Sequence, residues 1–299
     1  MSYTQQSLGF LAIALVFAGA EYLWRMRSGR GYDLASLGGN IGMIIGLAVS
    51  KALTGGIAVA GLMAAYHLAP MQFSLDDWRT WAAGFLVLEF FYYWQHRFSH
   101  TIRWIWTSHS VHHSATEFTL PAAFRLSWTG IFSGAWLVLT PMALIGFHPI
   151  LITVLLVVNL RLQYFLHTES VRKLGPLEWV FNTPSHHRVH HGTNPEYIDK
   201  NFGGILIVFD RLFGTFAEEC NDKPVIYGLT KPLNSNNPFI IAFHEWGNMF
   251  CDIRQARSMR QRLRALFGRP SDLTPANPAR QAPVALLAPA KPQAARVGP

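Results

Sequence analysis

The chain has 299 residues, half of them hydrophobic and only 14% charged, with a formal net charge of +8. Soluble domains carry about 25% charged residues, so this composition argues against a water-soluble enzyme and for an integral membrane protein. The positive charge forms no stripe of Lys or Arg among exposed aromatics, which leaves nucleic acid an unsupported partner. Two cysteines, Cys220 and Cys251, without a CxxC pair, imply neither a thiolate zinc site nor a disulfide framework.

Residues 8–24 are apolar and run into Arg25, Arg27 and Arg30. A cleaved secretory signal would need a positive start and small residues at its end. MSYTQQS has no positive side chain and the run ends in Tyr22, Leu23 and Trp24, so a retained first crossing is expected. Residues 34–69 form a second apolar region, interrupted by Lys51. One crossing takes about 20 residues, and a single long or broken crossing is the favoured reading. Its glycines, among them Gly42 and Gly46, permit close packing.

A third apolar segment, 81–94, contains Glu89 and ends in HRFSH. A carboxylate at membrane depth is costly and usually has a partner. Glu89 lies about two helical turns before His96, so it is expected to orient a ligand histidine from behind, against the alternative of a structural carboxylate. His96 and His100 share one face at helical spacing, and a short loop then reaches His109, His112 and His113. Residues 126–166 hold two apolar stretches divided by Gly146, Phe147, His148 and Pro149, which predicts a helical hairpin. His148 falls at its far turn and is excluded as a ligand. His167 falls at the near end, with Gln163 one turn before it.

The stretch 182–216 is the densest in histidine: His186, His187, His190 and His191 lie within six residues. Asp199 and Asp210 follow, either to receive the outer N–H of a ligating imidazole or to pair with Lys200 and Arg211. Pro238 to Phe250 is a short apolar piece with an interfacial His244, and 259–269 is basic and suited to an anionic membrane surface. From Pro270 onward the chain is rich in Ala and Pro and expected to be disordered.

Counting crossings brings the clusters together. His96 and His100 end the third crossing, the next three follow without crossing, the hairpin returns His167 to the same side, and the last three follow it. Arg97, Arg103, Arg125, Arg172, Lys173 and Arg188 lie in the same segments, which places that side in the cytoplasm. The fold expected is all-α: a membrane bundle of about four to six crossings under a cytoplasmic, histidine-rich helical cap.

Nine imidazoles exceed what one tetrahedral zinc uses. They suffice for two metals with four or five nitrogen ligands each, and imidazole suits Zn, Cu, Fe and Ni alike. A redox iron pair activates O₂, which attack on an alkyl C–H bond demands. No GxSxG elbow supports a serine hydrolase, and HExxH is absent. A metal-binding or transport protein without catalysis is the alternative; it predicts metal sites along a path through the bilayer.

HRFSH at 96–100, HSVHH at 109–113 and HRVHH at 187–191 together resemble the three histidine boxes of the fatty acid hydroxylase superfamily, which includes the sterol desaturases. NTPSHHRVHHGTNPEYIDKNFGG, followed by FDRLFGTF, is similar to its sterol desaturase and alkylglycerol monooxygenase branches. The resemblance implies a membrane-bound non-haem di-iron enzyme that uses O₂ to hydroxylate or desaturate a lipid. It implies iron ligands at His96, His100, His109, His112, His113, His167, His187, His190 and His191. Gln163 stands where some members have a histidine, and His186 lies outside the HxxHH pattern. With Glu89 and Asp199 they are the candidates for supporting roles. Electrons would come from a separate protein, or from tetrahydrobiopterin if the alkylglycerol-type likeness is the truer one. The implied division is membrane helices at 1–74, the catalytic domain at 75–220, a peripheral segment at 221–269 and the tail at 270–299.

Overall fold

The computed structural model describes residues 3–272. The structure is all-α: among the described residues, β pairing is confined to two isolated bridges, Phe181 with Leu206 and Gly192 with Tyr227. Among the described residues ten α-helices follow in order: α1 (Tyr3–Arg27), α2 (Leu34–His67), α3 (Trp78–Thr101), α4 (Arg103–His113), α5 (Thr140–Ile145), α6 (Pro149–Tyr164), α7 (Pro184–His190), α8 (Val208–Leu212), α9 (Pro238–Gln255) and α10 (Met259–Phe267).

Sequence chemistry sets the helix starts. The Asp33 carboxylate accepts from Ala35 N and Ser36 N to open α2, Asp77 accepts from Arg79 N to open α3, and Asn237 accepts from Phe239 N and Ile240 N to open α9. These caps satisfy amides that a helix start leaves without partners. Through Lys51 and its glycines α2 continues as one helix, which agrees with a single passage of residues 34–67. At 34 residues it is about 50 Å long, well beyond the roughly 30 Å of a bilayer core.

Two helices, α1 and α2, are long and apolar enough to cross a membrane, and little of either is buried. Leu15, Val16, Ile45 and Leu53 all point outward. A soluble core helix would bury such residues, so this exposure fits lipid as the surrounding solvent. The four to six crossings expected from the sequence are not all present as helices of that length. The outgoing leg of the hairpin breaks into turns, a 3₁₀ segment (Ala135–Leu139) and the six-residue α5. Ser127, Thr129 and Ser133 engage neighbouring backbone and hydroxyl groups there, and Gly134 takes a left-handed φ of 71°. Such local side-chain bonding competes with helix. The returning leg is helical, as α6, but only 16 residues long.

Arg25 at the end of α1 pairs with Glu117 and Glu169, and Asp33 N donates to Glu117. These contacts fix the α1–α2 turn at the histidine end of the molecule. From there α2 runs away to Tyr66, whose ring meets His148 at 4.8 Å, and α3 and α6 lead back. The far end is packed by Leu62, Tyr66, Leu88, Met142, Leu151 and Ile152. At the near end, Met43 of α2, Val111 of α4 and Ile241 and Ala242 of α9 form a second small core. Two α2 glycines allow this approach. A Cβ at Gly42 would lie 2.4 Å from Pro238, and one at Gly46 would lie 2.0 Å from the Trp128 ring. Cys220 and Cys251 are free thiols. Pro270–Asp272 forms a short 3₁₀ turn, and the rest of the expected tail, 273–299, lies outside the described residues.

Candidate metal centre

The nine histidines of the three boxes and residue 167 converge in two adjoining groups. His96, His100, His109, His113 and His190 form one, and His112, His167, His187 and His191 form the other; within each, the candidate donor atoms lie within 4.8 Å of one another. The end of α3 supplies two rings, α4 three, the turn after α6 one, and α7 with its C-cap three. Helical spacing puts His109 beside His113 and His187 beside His191. The two double histidines divide between the groups: His112 and His191 go to one, His113 and His190 to the other.

Backbone carbonyls fix three tautomers. His96 Nδ1 faces Phe202 O at 2.8 Å, His167 Nδ1 faces Gln163 O at 2.8 Å, and His190 Nδ1 faces Lys200 O at 2.9 Å. A carbonyl oxygen only accepts, so each Nδ1 carries the hydrogen and each Nε2 is left as a lone pair. Those lone pairs converge with others. His96 Nε2 lies 3.0 Å from His109 Nε2, which is 3.2 Å from His113 Nε2. His167 Nε2 lies 3.0 Å from both His112 Nε2 and His187 Nε2. Two imidazole nitrogens about 2.1 Å from one ion and at right angles lie about 3 Å apart, so the spacing fits shared coordination. His100, His190 and His191 each bury an Nε2 without a hydrogen-bond partner. An unsatisfied buried nitrogen costs about 1–3 kcal/mol, a cost that a cation removes. Burial first, and then their mutual proximity, hold His109, His113, His187, His190 and His191 well below the ordinary imidazole range. Neutral imidazole is the form that binds a metal. The residues present therefore fit two metal ions.

The candidates for supporting roles take distinct positions. Glu89 does not reach His96. One carboxylate oxygen accepts from Ile205 N at 2.8 Å and Leu206 N at 2.9 Å, and the other accepts from Asn159 Nδ2. Asn159 in turn accepts from Gln163 Nε2, and Gln163 Oε1 accepts from Tyr92 at 3.2 Å. Gln163 thus belongs to neither histidine group; its side chain is held in this buried chain while its carbonyl faces His167. His186 also stands outside both groups, 3.9 Å from Glu178 Oε2 and against Phe216. Asp199 Oδ1 is 3.8 Å from His100 Nδ1, and its other oxygen is 3.8 Å from Arg269. Asp210 does not pair with Arg211. It accepts from Phe202 N and Gly203 N, both at 2.7 Å, and from Thr215 at 2.7 Å. Burial raises its pKa to about 6. Asp210 therefore acts on His96 through the peptide of Phe202. His148 caps α6 through Nδ1, and His244 faces Ile241 O, so both lie outside the groups.

Two supporting roles escaped the sequence reading, which took Arg188 only as a marker of the cytoplasmic side. Arg188, inside the third box, donates to Thr168 O and Val171 O and forms a two-pronged pair with Glu219 at 2.7 and 2.6 Å. It ties α7 to the turn that carries His167. Asn159 links Glu89 to Gln163. Its signal was visible: an amide side chain after a nearly apolar run of α6, one turn before Gln163. A cavity of about 830 Å³ opens beside His100, His113, His190 and His191 and is walled on its other side by α9.

Residues 81–215 match the fatty acid hydroxylase family. The chain is 47% identical over 173 residues to alkylglycerol monooxygenase of Danio rerio, covering 58% of this chain and 38% of that protein. The human alkylglycerol monooxygenase is 46% identical over 165 residues, 55% of this chain and 36% of that one. An ornithine lipid hydroxylase of Rhizobium tropici is 26% identical over 219 residues, 70% of this chain and 64% of that one. The chain thus spans little more than a third of the alkylglycerol monooxygenases it matches. No solved structure matches it significantly. The four- and five-histidine groups are built from the boxes that the family match spans, so the geometry of residues 81–215 agrees with the likeness to the fatty acid hydroxylase family.

Proposed function

We propose that this protein is a membrane-bound di-iron oxygenase that hydroxylates a lipid. The observation that carries the reading is the division of nine buried histidines into two groups with facing lone pairs. An iron pair would be held by His96, His100, His109, His113 and His190 on one side and by His112, His167, His187 and His191 on the other. When bound it supplies the activation of O₂ that attack on an alkyl C–H bond requires. The chain's own part is to hold the nine rings neutral, to fix tautomers through Phe202, Gln163 and Lys200, and to exclude bulk water by burial.

The matches to an ornithine lipid hydroxylase and to alkylglycerol monooxygenases favour hydroxylation over desaturation, and the higher identity to the latter favours an ether lipid among the candidate substrates. The bundle is set in the bilayer by α1 and α2, with the α3 and α5–α6 legs entering beside them. The histidine end faces the cytoplasm, as the arginines and lysines around it favour. Reductant arrives there from a separate electron-transfer protein or from tetrahydrobiopterin. Residues 75–220 are the catalytic unit in this reading.

The test is purified, iron-loaded protein in nanodiscs, supplied with O₂, a reductant and candidate lipids. A product heavier by one oxygen atom supports the proposal. Tightly bound iron without O₂ consumption on any lipid favours the metal-binding alternative instead.

A further inference from the structure

Helix α9 has two unlike faces. Ile241, Ala242 and Met249 are fully buried, and Glu245 and Asp252 grip Arg103 of α4 at 2.9 and 2.7 Å. That side also walls the cavity beside the histidines. The opposite side carries Phe239, Phe243, Trp246 and Phe250, which recur at helical spacing along one stripe. Phe239, Phe243 and Phe250 are about half exposed or more, and Trp246 stacks on Phe250. The inner side accounts for how α9 is held; the stripe is flanked by Trp128 and, at Trp246, by Trp104 and Thr129, and Phe239, Phe243 and Phe250 stay largely exposed.

The position of α9 identifies what covers the stripe. Pro238 sits against Gly42 of α2, and Trp128, seated on Gly46, meets the Phe239 and Phe243 rings edge-on at 5.2 and 6.1 Å. Gly42 and Gly46 lie two to three turns inside a helix whose apolar residues face outward. The stripe is thus continuous with the lipid-facing surface of α2, at the level where the chain leaves it. Its C-terminal end runs into exposed Arg254, Arg257, Arg260 and Arg262, and none of them forms an ion pair among the described residues. Aromatic side chains followed by unpaired arginines suit the boundary between acyl chains and anionic headgroups.

We infer that α9 is an interfacial helix: its aromatic stripe lies in the boundary of one leaflet and its arginines rest on anionic headgroups. The same helix then separates lipid from the cavity that reaches His100 and His113. A lipid leaving the bilayer beside α9 has only the thickness of this helix to pass. The inference rests on the membrane setting proposed above, but not on catalysis.

The test is nitroxide scanning of the full chain in nanodiscs, with Cys220 and Cys251 replaced by serine. Labels are placed by Ile45→Cys on α2, Ile240→Cys, Phe243→Cys and Phe250→Cys on α9, and Asp222→Cys as an aqueous reference. Collision with O₂ and with a water-soluble nickel chelate reads depth. The expected result is that the α9 labels, like the one at 45, favour O₂ over nickel several-fold relative to 222. The preference should increase when anionic lipid replaces part of a zwitterionic bilayer. Nickel access on α9 equal to that at 222, with the label at 45 in lipid, overturns the inference while leaving the membrane setting intact. Labels on α9 shielded from both reagents mean a protein contact and overturn it as well. A label at 45 open to nickel removes the membrane setting itself.

Discussion

The two histidine groups share a family of side chains but are supported differently. The five-histidine group leans on the loop after α7: Phe202 O faces His96, Lys200 O faces His190, and Asp199 stands near His100. It is also the group that borders the cavity most extensively. Of the four-histidine group, His191 alone lines that cavity. Phe118 stacks on His167 at 5.4 Å and approaches His191 at 5.1 Å, and Gln163 O holds His167 from within its own helix turn. One group thus depends on a loop that acidic side chains must hold in place, and the other on helix ends. The contrast teaches that equal ligand chemistry does not mean equal tolerance.

The largest effect is expected from His187→Ala. It leaves three donors in the smaller group, and activity should fall below detection with loss of about half the bound metal, read by elemental analysis. His100→Ala leaves four donors in the other group and should retain more metal than His187→Ala. Equal losses in the two variants would break the comparison.

Glu89→Gln comes next, because Glu89 serves both groups. One oxygen holds the Ile205 and Leu206 amides, in the loop that follows Phe202, and the other reaches Gln163 through Asn159. An amide in its place turns an N–H₂ toward a donor and should cost about 1–3 kcal/mol, read as a lower unfolding temperature. Unchanged stability and metal content would remove the linking role.

Asp210→Asn separates the groups more cleanly. It disturbs the Phe202 and Gly203 amides and should weaken metal binding at the five-histidine group by about 10–100-fold, while the other keeps its affinity in a metal titration. Smaller still is Asp199→Asn, whose 3.8 Å approach to His100 predicts less than about a tenfold change. His186→Ala should leave metal content unaltered, since His186 lies in neither group; metal lost on this change would redraw the site.

Much of this site was legible in the chain. The HxxxH and HxxHH spacings named eight of the nine rings, and the topology argument added His167 and brought residues 96 and 191 to one end. Their partition was not legible, because it depends on how α4 and α7 cross, and spacing along one helix does not encode that. Glu89 was recognised as a partnered carboxylate, but its partners are backbone amides some 116 positions away in sequence, which no periodicity reports. The broken leg between 126 and 145 was missed for a related reason. Its hydropathy suits a helix, while Ser127, Thr129, Ser133 and Gly134 give the backbone other places to bond. Several arginines that marked the histidine side also proved to be braces: Arg25, Arg103 and Arg188 are buried against carboxylates.

The paired histidines at 112–113 and 190–191 carry one more consequence. Neighbouring α-carbons are 3.8 Å apart, a distance that thermal motion does not stretch. Each pair sends one ring to each group, so two peptide bonds act as covalent rulers between the centres. Helices breathe and the cavity fills or empties, but at these two positions the backbones that carry the two groups cannot drift apart.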